Sequence, residues 1–525
     1  MSYRMIAPVL ALLSLLLPRF AAAQNGAPSI DEQINATVGA VTGPFVSFIF
    51  APFPGTTFPW IVMWLVVGAT VFTIYFGFIQ FRAFAHSIAL VKGDYSDPND
   101  AGEVSHFQAL ATALSGTVGL GNIAGVAVAV SIGGPGATFW MILAGLMGMA
   151  SKFTECTLGV KYRNEYADGS VSGGPMYYLT KGMGEQGRGA IGRVLAVLFA
   201  IFCILGSWGG GNMFQANQAH AQLVNITGGE SSFLSGNGWI TGVVIATIVF
   251  IVIVGGIKSI AKVTEKVVPF MALIYVGAAV VILIMNADKI GWAFGQIFAG
   301  AFTDVGVAGG LVGALIQGFK RAAFSNEAGV GSAAIAHSAV RTKEPITEGF
   351  VSLLEPFIDT VVICTMTALV IVITGVLNTD PETGRYLWDA EAGRIATAGG
   401  VGGVELTSAA FESSFSWFPF ILAIAVVLFA FSTMISWSYY GLKAWTYLFG
   451  EGKVTELIFK ILFCIFVVIG AAMNLGPVID FSDAAIFAMA VVNIIGLYFL
   501  MPIVKAELNS YLDRLKSGEI KRYAH

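Results

Sequence analysis

Apolar residues run through this chain in long blocks, many close to the roughly 20 residues that carry a helix across a bilayer. Eleven blocks are predicted to span: about 58–80, 106–131, 136–160, 194–222, 238–257, 264–286, 305–337, 347–375, 414–446, 454–473 and 480–503. Residues 31–52 read as a partly apolar segment outside the cytoplasm, and 291–299 as a short helix on the same side. The N-terminus has a different pattern. Arg4 precedes an apolar run from Met5 to Leu17, then Ala21-Ala22-Ala23-Gln24. This is a signal-peptide pattern over 1–23, with an uncleaved first helix as the alternative. Either way the following segment starts outside.

Composition agrees with the blocks. Of 525 residues, 56% are hydrophobic and 11% charged, whereas a soluble domain carries roughly a quarter charged. A net charge of −4 gives no reason to expect nucleic acid or a polybasic surface role. Cys156, Cys203, Cys364 and Cys464 sit far apart in apolar stretches without a CxxC, and read as buried small hydrophobes. With the N-terminus outside and alternating spans, the cytoplasmic segments are 82–105, 161–193, 258–266, 320–343, 443–460 and 505–525; they hold 22 Lys and Arg, against three outside (Lys289, Arg385, Arg394). That asymmetry predicts N-out, C-in. The longest outside loop, 376–413, carries Asp380, Glu382, Asp389 and Glu391 and reads as a solvated cap, or alternatively a gating lid.

Two spans are interrupted. The second reads Ser115-Gly116-Thr117-Val118-Gly119-Leu120-Gly121-Asn122-Ile123-Ala124-Gly125. Each glycine costs a helix roughly 1 kcal/mol relative to Ala, and polar residues share the window. Close packing is the plain alternative. The seventh span repeats the pattern, with Gln317-Gly318-Phe319-Lys320-Arg321 followed by Phe324-Ser325-Asn326-Glu327-Ala328-Gly329-Val330-Gly331-Ser332. Five spans lie in 106–286 and five in 305–503, and an odd number per half inverts one half against the other. Paired interruptions in inverted halves point to a transporter site. An unwound helix exposes backbone groups that lipid cannot satisfy. The N-terminal end of one half-helix suits a carboxylate, and the C-terminal carbonyls of the other suit a cation.

The run Ser115 to Gly125, with Gly133-Gly134-Pro135-Gly136 after it, and the run Phe324 to Ala333 resemble the alanine/glycine:cation symporter family. The resemblance extends over most of 50–505. It implies an all-α polytopic membrane protein with eleven transmembrane helices, a LeuT-type 5+5 inverted repeat and one extra N-terminal helix. The corresponding division is 24–57 extracytoplasmic, 58–104 extra helix and cytoplasmic loop, 105–286 first repeat, 287–504 second repeat and 505–525 cytoplasmic tail. It further implies import of alanine or glycine with Na⁺, in some members with H⁺, across the plasma membrane (in bacteria the inner membrane). By similarity to the first core helix of the neurotransmitter:sodium symporter group, the amides of Leu120 and Gly121, within the Gly116-Thr117 window, would hold the substrate carboxylate. The carbonyls of Ser115 and Val118 would face one Na⁺, completed by Ser432 and Thr433; the Thr117 carbonyl and Asn122 side chain would face another. Gly318-Phe319 would be the unwound part of the other broken helix, with Phe319 and Trp437 lining a pocket for a small side chain.

Other polar groups carry readings of their own. Phe214 and Asn217 share a helical face, as pocket residues or as packing and helix glue. Glu355 and Asp359 are intramembrane acids, functional by default; a gate or a pairing of Glu355 with Lys320 or Arg321 is equally natural. Asp480 and Asp483 read as caps of the last span, Lys152 and Glu155 as a pair, and His106 and His337 as lying near cytoplasmic ends without a metal or catalytic arrangement. Five scattered histidines with no HExxH or GxSxG argue against an enzyme, and the duplication fits alternating access better than an ion channel. The lipid bilayer is expected as surroundings, with no nucleic acid and no obligate protein partner.

Overall fold

The structure is a computed structural model that describes residues 30–97, 100–167, 169–302 and 310–523. The expected signal peptide, 1–23, and the start of the seventh span lie outside the described residues. The fold is all-helical apart from two small antiparallel hairpins, Asn164–Glu165 with Val171–Ser172 and Trp388–Asp389 with Arg394–Ile395.

Six helices are long and apolar enough to cross a membrane among the described residues: Gly189–Ile226, Gly256–Met285, Pro345–Ile373, Phe418–Phe449, Lys453–Ala472 and Leu475–Ser517. A seventh is the bent pair His106–Thr117 and Gly121–Gly133, whose halves meet at 51°. Trp60–Tyr75 and Gly238–Ile253 are apolar but shorter. The other two expected spans are helical without meeting that length and composition: Gly136–Lys161 buries Lys152 and Glu155, and the seventh splits into Gly310–Asn326 and Ala333–His337. Large apolar side chains face outward, with Ile251 70% and Leu273 72% exposed. Such a surface suits hydrocarbon rather than water.

Three π-helical turns, Gly121–Gly125, Gly209–Met213 and Phe357–Cys364, lie inside these helices. A π turn shifts the backbone register and frees a carbonyl. Each turn has one met by a side chain: Ile123 O accepts from Thr407, Gly210 O from Gln215, and Asp359 O from Asn122. Thr407 belongs to Val404–Glu412, a largely buried helix within the long 376–413 loop. That loop is therefore a surface hairpin over 378–397 and, over 404–412, part of the packing against the first interruption.

Lys320 and Arg321 lie apart from Arg341 and Lys343, with which the sequence grouped them. Lys320 covers the Phe50 ring at 4.2 Å, beside the segment that follows the first helix, Ile30–Ile49. Lys343 instead pairs with Asp97 and Asp100. The reason is local: both side chains pair with Asp483 within the protein.

Candidate functional site

The first interruption is held open by side chains. After Thr117 the helix stops, and Gly119 N donates to Asn122 Oδ1 at 2.8 Å while Leu120 N donates to Gln215 Oε1 at 3.1 Å. Gln215 thus places an amide oxygen on one of the two N–H groups assigned to a substrate carboxylate. Gly119 is required by space rather than by φ: a Cβ there would collide with Thr433 Oγ1 and lie 3.2 Å from Gln215 Oε1.

Ser115, Ser432 and Thr433, assigned by resemblance to one cation site, come together by hydrogen bonds to one another. Ser115 Oγ donates to Ser432 O at 2.7 Å, and Thr433 Oγ1 donates to Ser115 O at 3.0 Å. Ser436 Oγ adds a bond to Thr112 O at 3.0 Å. These hydroxyls bridge helices instead of bonding back to their own, unlike Thr117 Oγ1, which bonds to Ala113 O, and Ser432 Oγ, which bonds to Phe429 O. Val118 is buried in the same turn.

Asn122 leads to a second oxygen cluster. Its Nδ2 donates to Asp359 Oδ1 at 2.6 Å and to Asp359 O at 3.0 Å. Ser325 Oγ and Thr360 Oγ1 donate to Asp359 Oδ2 at 2.9 and 2.6 Å. Asp359 is fully buried, and no Lys, Arg or His pairs with it among the described residues. The first interruption meets the last turn of helix Gly310–Asn326 here: a Cβ on Gly121 would lie 3.3 Å from Ser325 Cα.

The second interruption lies at 327–332, not at Gly318–Phe319. Glu327, Gly329 and Gly331 have φ of 56°, 85° and 91°. A left-handed glutamate is uncommon and costs about 1–2 kcal/mol. Its carboxylate accepts from Trp437 Nε1 at 2.9 Å and from Ser332 Oγ, and the freed backbone is met by Glu155 on Gly331 N and Asn493 on Gly329 O. Gly318 and Phe319 are inside the continuous helix Gly310–Asn326. A Cβ on Gly318 would overlap Trp140 and the Ala137 carbonyl, so this glycine serves helix packing. Phe319 packs near Trp140, with ring centroids 6.5 Å apart.

Trp437 lies against the glycine-rich π turn, where a Cβ on Gly211 would strike its ring. Phe214 meets Phe324 of the second interrupted span edge-on at 5.1 Å. Gly116 faces Tyr440, whose hydroxyl is buried without a partner among the described residues.

Asn217 points elsewhere. Its Nδ2 donates to Gly470 O and Met473 O, at 3.2 and 2.5 Å, and caps helix Lys453–Ala472. It is helix glue. Asn217→Leu leaves those carbonyls unmet, at about 1–3 kcal/mol, and the expected result is a lower Tm in detergent with substrate affinity unchanged.

The buried charges pair differently from the expected scheme. Glu355 meets Lys152 at 3.0 Å and His337 at 3.5 Å rather than Lys320 or Arg321. Glu348 joins His106 and His337, at 2.5 and 2.6 Å. Asp483 is fully buried and bound to Arg321, so it is not a surface cap. Glu327, Ser325, Gln215 and Thr360 are the site residues that sequence reasoning missed. Glu327 and Ser325 stood within a quoted motif, and Gln215 stood in a cluster of amides.

A family model described as "Sodium:alanine symporter family" matches residues 44–525. The Sodium/alanine symporter AgcS of Methanococcus maripaludis is 39% identical over 477 residues, covering 90% of this chain and 97% of its own. The Amino-acid carrier protein AlsT of Bacillus subtilis is 33% identical over 451 residues, covering 85% of this chain and 88% of its own. Among solved structures, MhsT in complex with L-phenylalanine superposes with a TM-score of 0.54 at 13% identity, covering 78% of this chain and 99% of that one. That likeness concerns the fold.

Proposed function

The chain belongs to the sodium:alanine symporter family, whose members are membrane transporters rather than enzymes, and on that premise we propose Na⁺-coupled import of alanine, glycine or a similar small neutral amino acid by alternating access. The reading includes eleven spans, a 5+5 inverted repeat preceded by one extra helix, and an N-terminus outside the plasma membrane with the C-terminus inside. Transport is driven by a cation that enters with the substrate.

The observation that carries the reading is Asp359. A fully buried carboxylate without a cationic partner is costly by several kcal/mol. Here its oxygens accept from the Asn122 amide and from the Ser325 and Thr360 hydroxyls, where the first interruption meets the last turn of helix Gly310–Asn326. A small hard cation offsets that charge and ties the two broken spans together. Ser115, Val118, Ser432 and Thr433 supply oxygens for a second ion, and the Thr117 carbonyl is assigned with Asn122 to the first. The zwitterion then sits beside the first interruption, with its carboxylate on the amides of Leu120 and Gly121, where Gln215 now accepts. Trp437, held by Glu327, closes the pocket around a small side chain, with Phe214 and Gly116 at its edge. Coupling follows because the ion stabilises the backbone geometry that the substrate needs.

Proton coupling is the second reading, since a proton on Asp359 would also neutralise it. The test is labelled alanine uptake into proteoliposomes with Na⁺ exchanged for choline and pH varied. Uptake that requires Na⁺ supports the first reading, uptake that follows only the pH gradient supports the second, and uptake indifferent to both sinks them.

A further inference from the structure

The last helix, Leu475–Ser517, has 43 residues. At 1.5 Å per residue it measures about 65 Å, roughly twice the hydrocarbon core of a bilayer, so its end projects from the membrane. Gly518, at φ 78°, turns the chain back, and Glu519 N donates to Arg514 O at 3.0 Å. The tail then returns to the segment that leads into the first interrupted span. Tyr523 N donates to Asp94 O at 2.7 Å, and Tyr523 Oη to Asp97 Oδ2 at 3.2 Å. Arg522 donates to Asp94 Oδ2 through Nε, at 3.1 Å, and through Nη2. Arg514 forks onto both oxygens of Glu344, at 2.7 and 2.6 Å, in the segment that leaves the second interrupted span.

Those two segments are joined to each other. Val104 and Val340 form a short parallel bridge. Glu103 N donates to Ala339 O at 2.8 Å, Arg341 N to Val104 O at 2.8 Å and Thr342 N to Ala101 O at 3.2 Å. Gly102 is required by the approach: its φ is 137°, and a Cβ there would overlap the Val340 carbonyl. Arg163 reaches across, donating to Ala101 O on one side and to the carbonyls of Ser338, Val340 and Thr342 on the other. Ser105 caps His106–Thr117, the first half of one interrupted span, and Ala333–His337 is the last half of the other. A path from the interruptions to this side of the membrane opens only when these two ends part.

We propose that the C-terminal tail, residues 514–523, is an autoinhibitory strap: it binds both segments, slows their parting and so limits the rate of transport. The proposal rests on the reading of the chain as an alternating-access symporter. The tail has the features of a restraint rather than of permanent packing. It stands over a polar cavity of about 310 Å³, with Glu519 and Lys521 on the tail and Asp100, Lys343 and Glu344 across from them, instead of on an apolar core. Lys521 and Arg522 meet the acidic run Asp94, Asp97 and Asp100, whose last two members Lys343 also pairs with. The side chain of Arg522 is 70% exposed in its pair with Asp94. Exposed pairs contribute little each and are screened by salt. The strap therefore releases without cost to the fold, and its hold weakens as ionic strength rises.

The test compares the full-length protein with its variants in proteoliposomes, at matched amounts of protein. Arg522→Gln and Asp94→Asn should each raise the maximal rate of alanine uptake about threefold, the loss of one exposed ion pair, and removal of residues 519–525 about tenfold. Arg522→Asp combined with Asp94→Arg should restore the wild-type rate. Choline chloride added on both sides at constant Na⁺ should speed the wild type and leave the shortened protein unchanged. Hydrogen exchange reads the same contact without transport: the amides of Glu103, Arg341 and Thr342 should exchange faster in Arg522→Gln than in the wild type. Rates at or below wild type in all three weakened variants, while wild-type uptake stands, overturn the strap and leave the symport reading intact. Unchanged exchange at those amides overturns it too. If the wild type takes up no amino acid, the symport reading falls, and the exchange rates alone decide whether the tail holds the two segments together.

Discussion

Asp359→Asn is expected to abolish Na⁺-stimulated alanine uptake while the protein still folds and inserts. Asparagine has the shape of aspartate and keeps one oxygen for the Asn122 amide. The hydroxyls of Ser325 and Thr360 can rotate from donating to accepting, so the new NH₂ finds partners in the same place. The charge is what disappears. Removing one partner of a buried ion pair costs about 3–5 kcal/mol, so apparent Na⁺ affinity should weaken at least about a hundredfold. The measurement is initial uptake against external Na⁺, at matched levels of protein in the membrane. A variant with a wild-type Na⁺ dependence removes Asp359 from the cation site.

Gly119→Val should eliminate transport at any Na⁺ concentration, and Gly119→Ala should lower it more than about tenfold. Gly119 is not in the left-handed region, so the effect is not one of backbone freedom. The methyl of alanine would already collide with Thr433 Oγ1. Accommodating it pushes the first interrupted span away from helix Phe418–Phe449, and overpacking of this kind costs typically 1–3 kcal/mol. The displacement lengthens the bond from Thr433 to Ser115 O and the bond from Leu120 N to Gln215. Both the ion-binding and the substrate-binding parts of the site are lost together. Uptake by Gly119→Ala indistinguishable from wild type would show that the close approach is not needed for function.

Which parts of this arrangement were legible in the sequence follows from how local their causes are. Helices were readable because a span needs only a continuous apolar run, and the first interruption because Ser, Thr, Asn and glycines break such a run at one place. The second interruption was located in the right segment but assigned to the wrong glycine. Gly318 and Gly329 look alike in sequence; what separates them is Trp140 and Ala137 packed against the one and a φ of 85° at the other. Those neighbours come from a distant helix. Asp359 was visible as an intramembrane acid, but its role rests on Asn122, which is 237 residues away. Asn217 shows the converse: a buried amide beside a glycine-rich turn suggested a pocket, and its partners proved to be the end carbonyls of helix Lys453–Ala472. Lys320 and Arg321 were counted as topological charges because a charge count is blind to partners inside the protein, and Asp483 supplies the partner.

The proposed function makes ion and substrate depend reciprocally on the same pair of interrupted helices. By linkage, an ion that tightens alanine binding is itself bound more tightly in the presence of alanine, by the same factor. The most direct measurement is alanine binding to purified protein titrated at increasing Na⁺, with choline keeping ionic strength constant, and Na⁺ binding measured with and without alanine. The expected result is an alanine Kd that falls as Na⁺ rises, matched by an equal gain in Na⁺ affinity when alanine is present. An alanine Kd that stays flat across the Na⁺ titration would contradict the account.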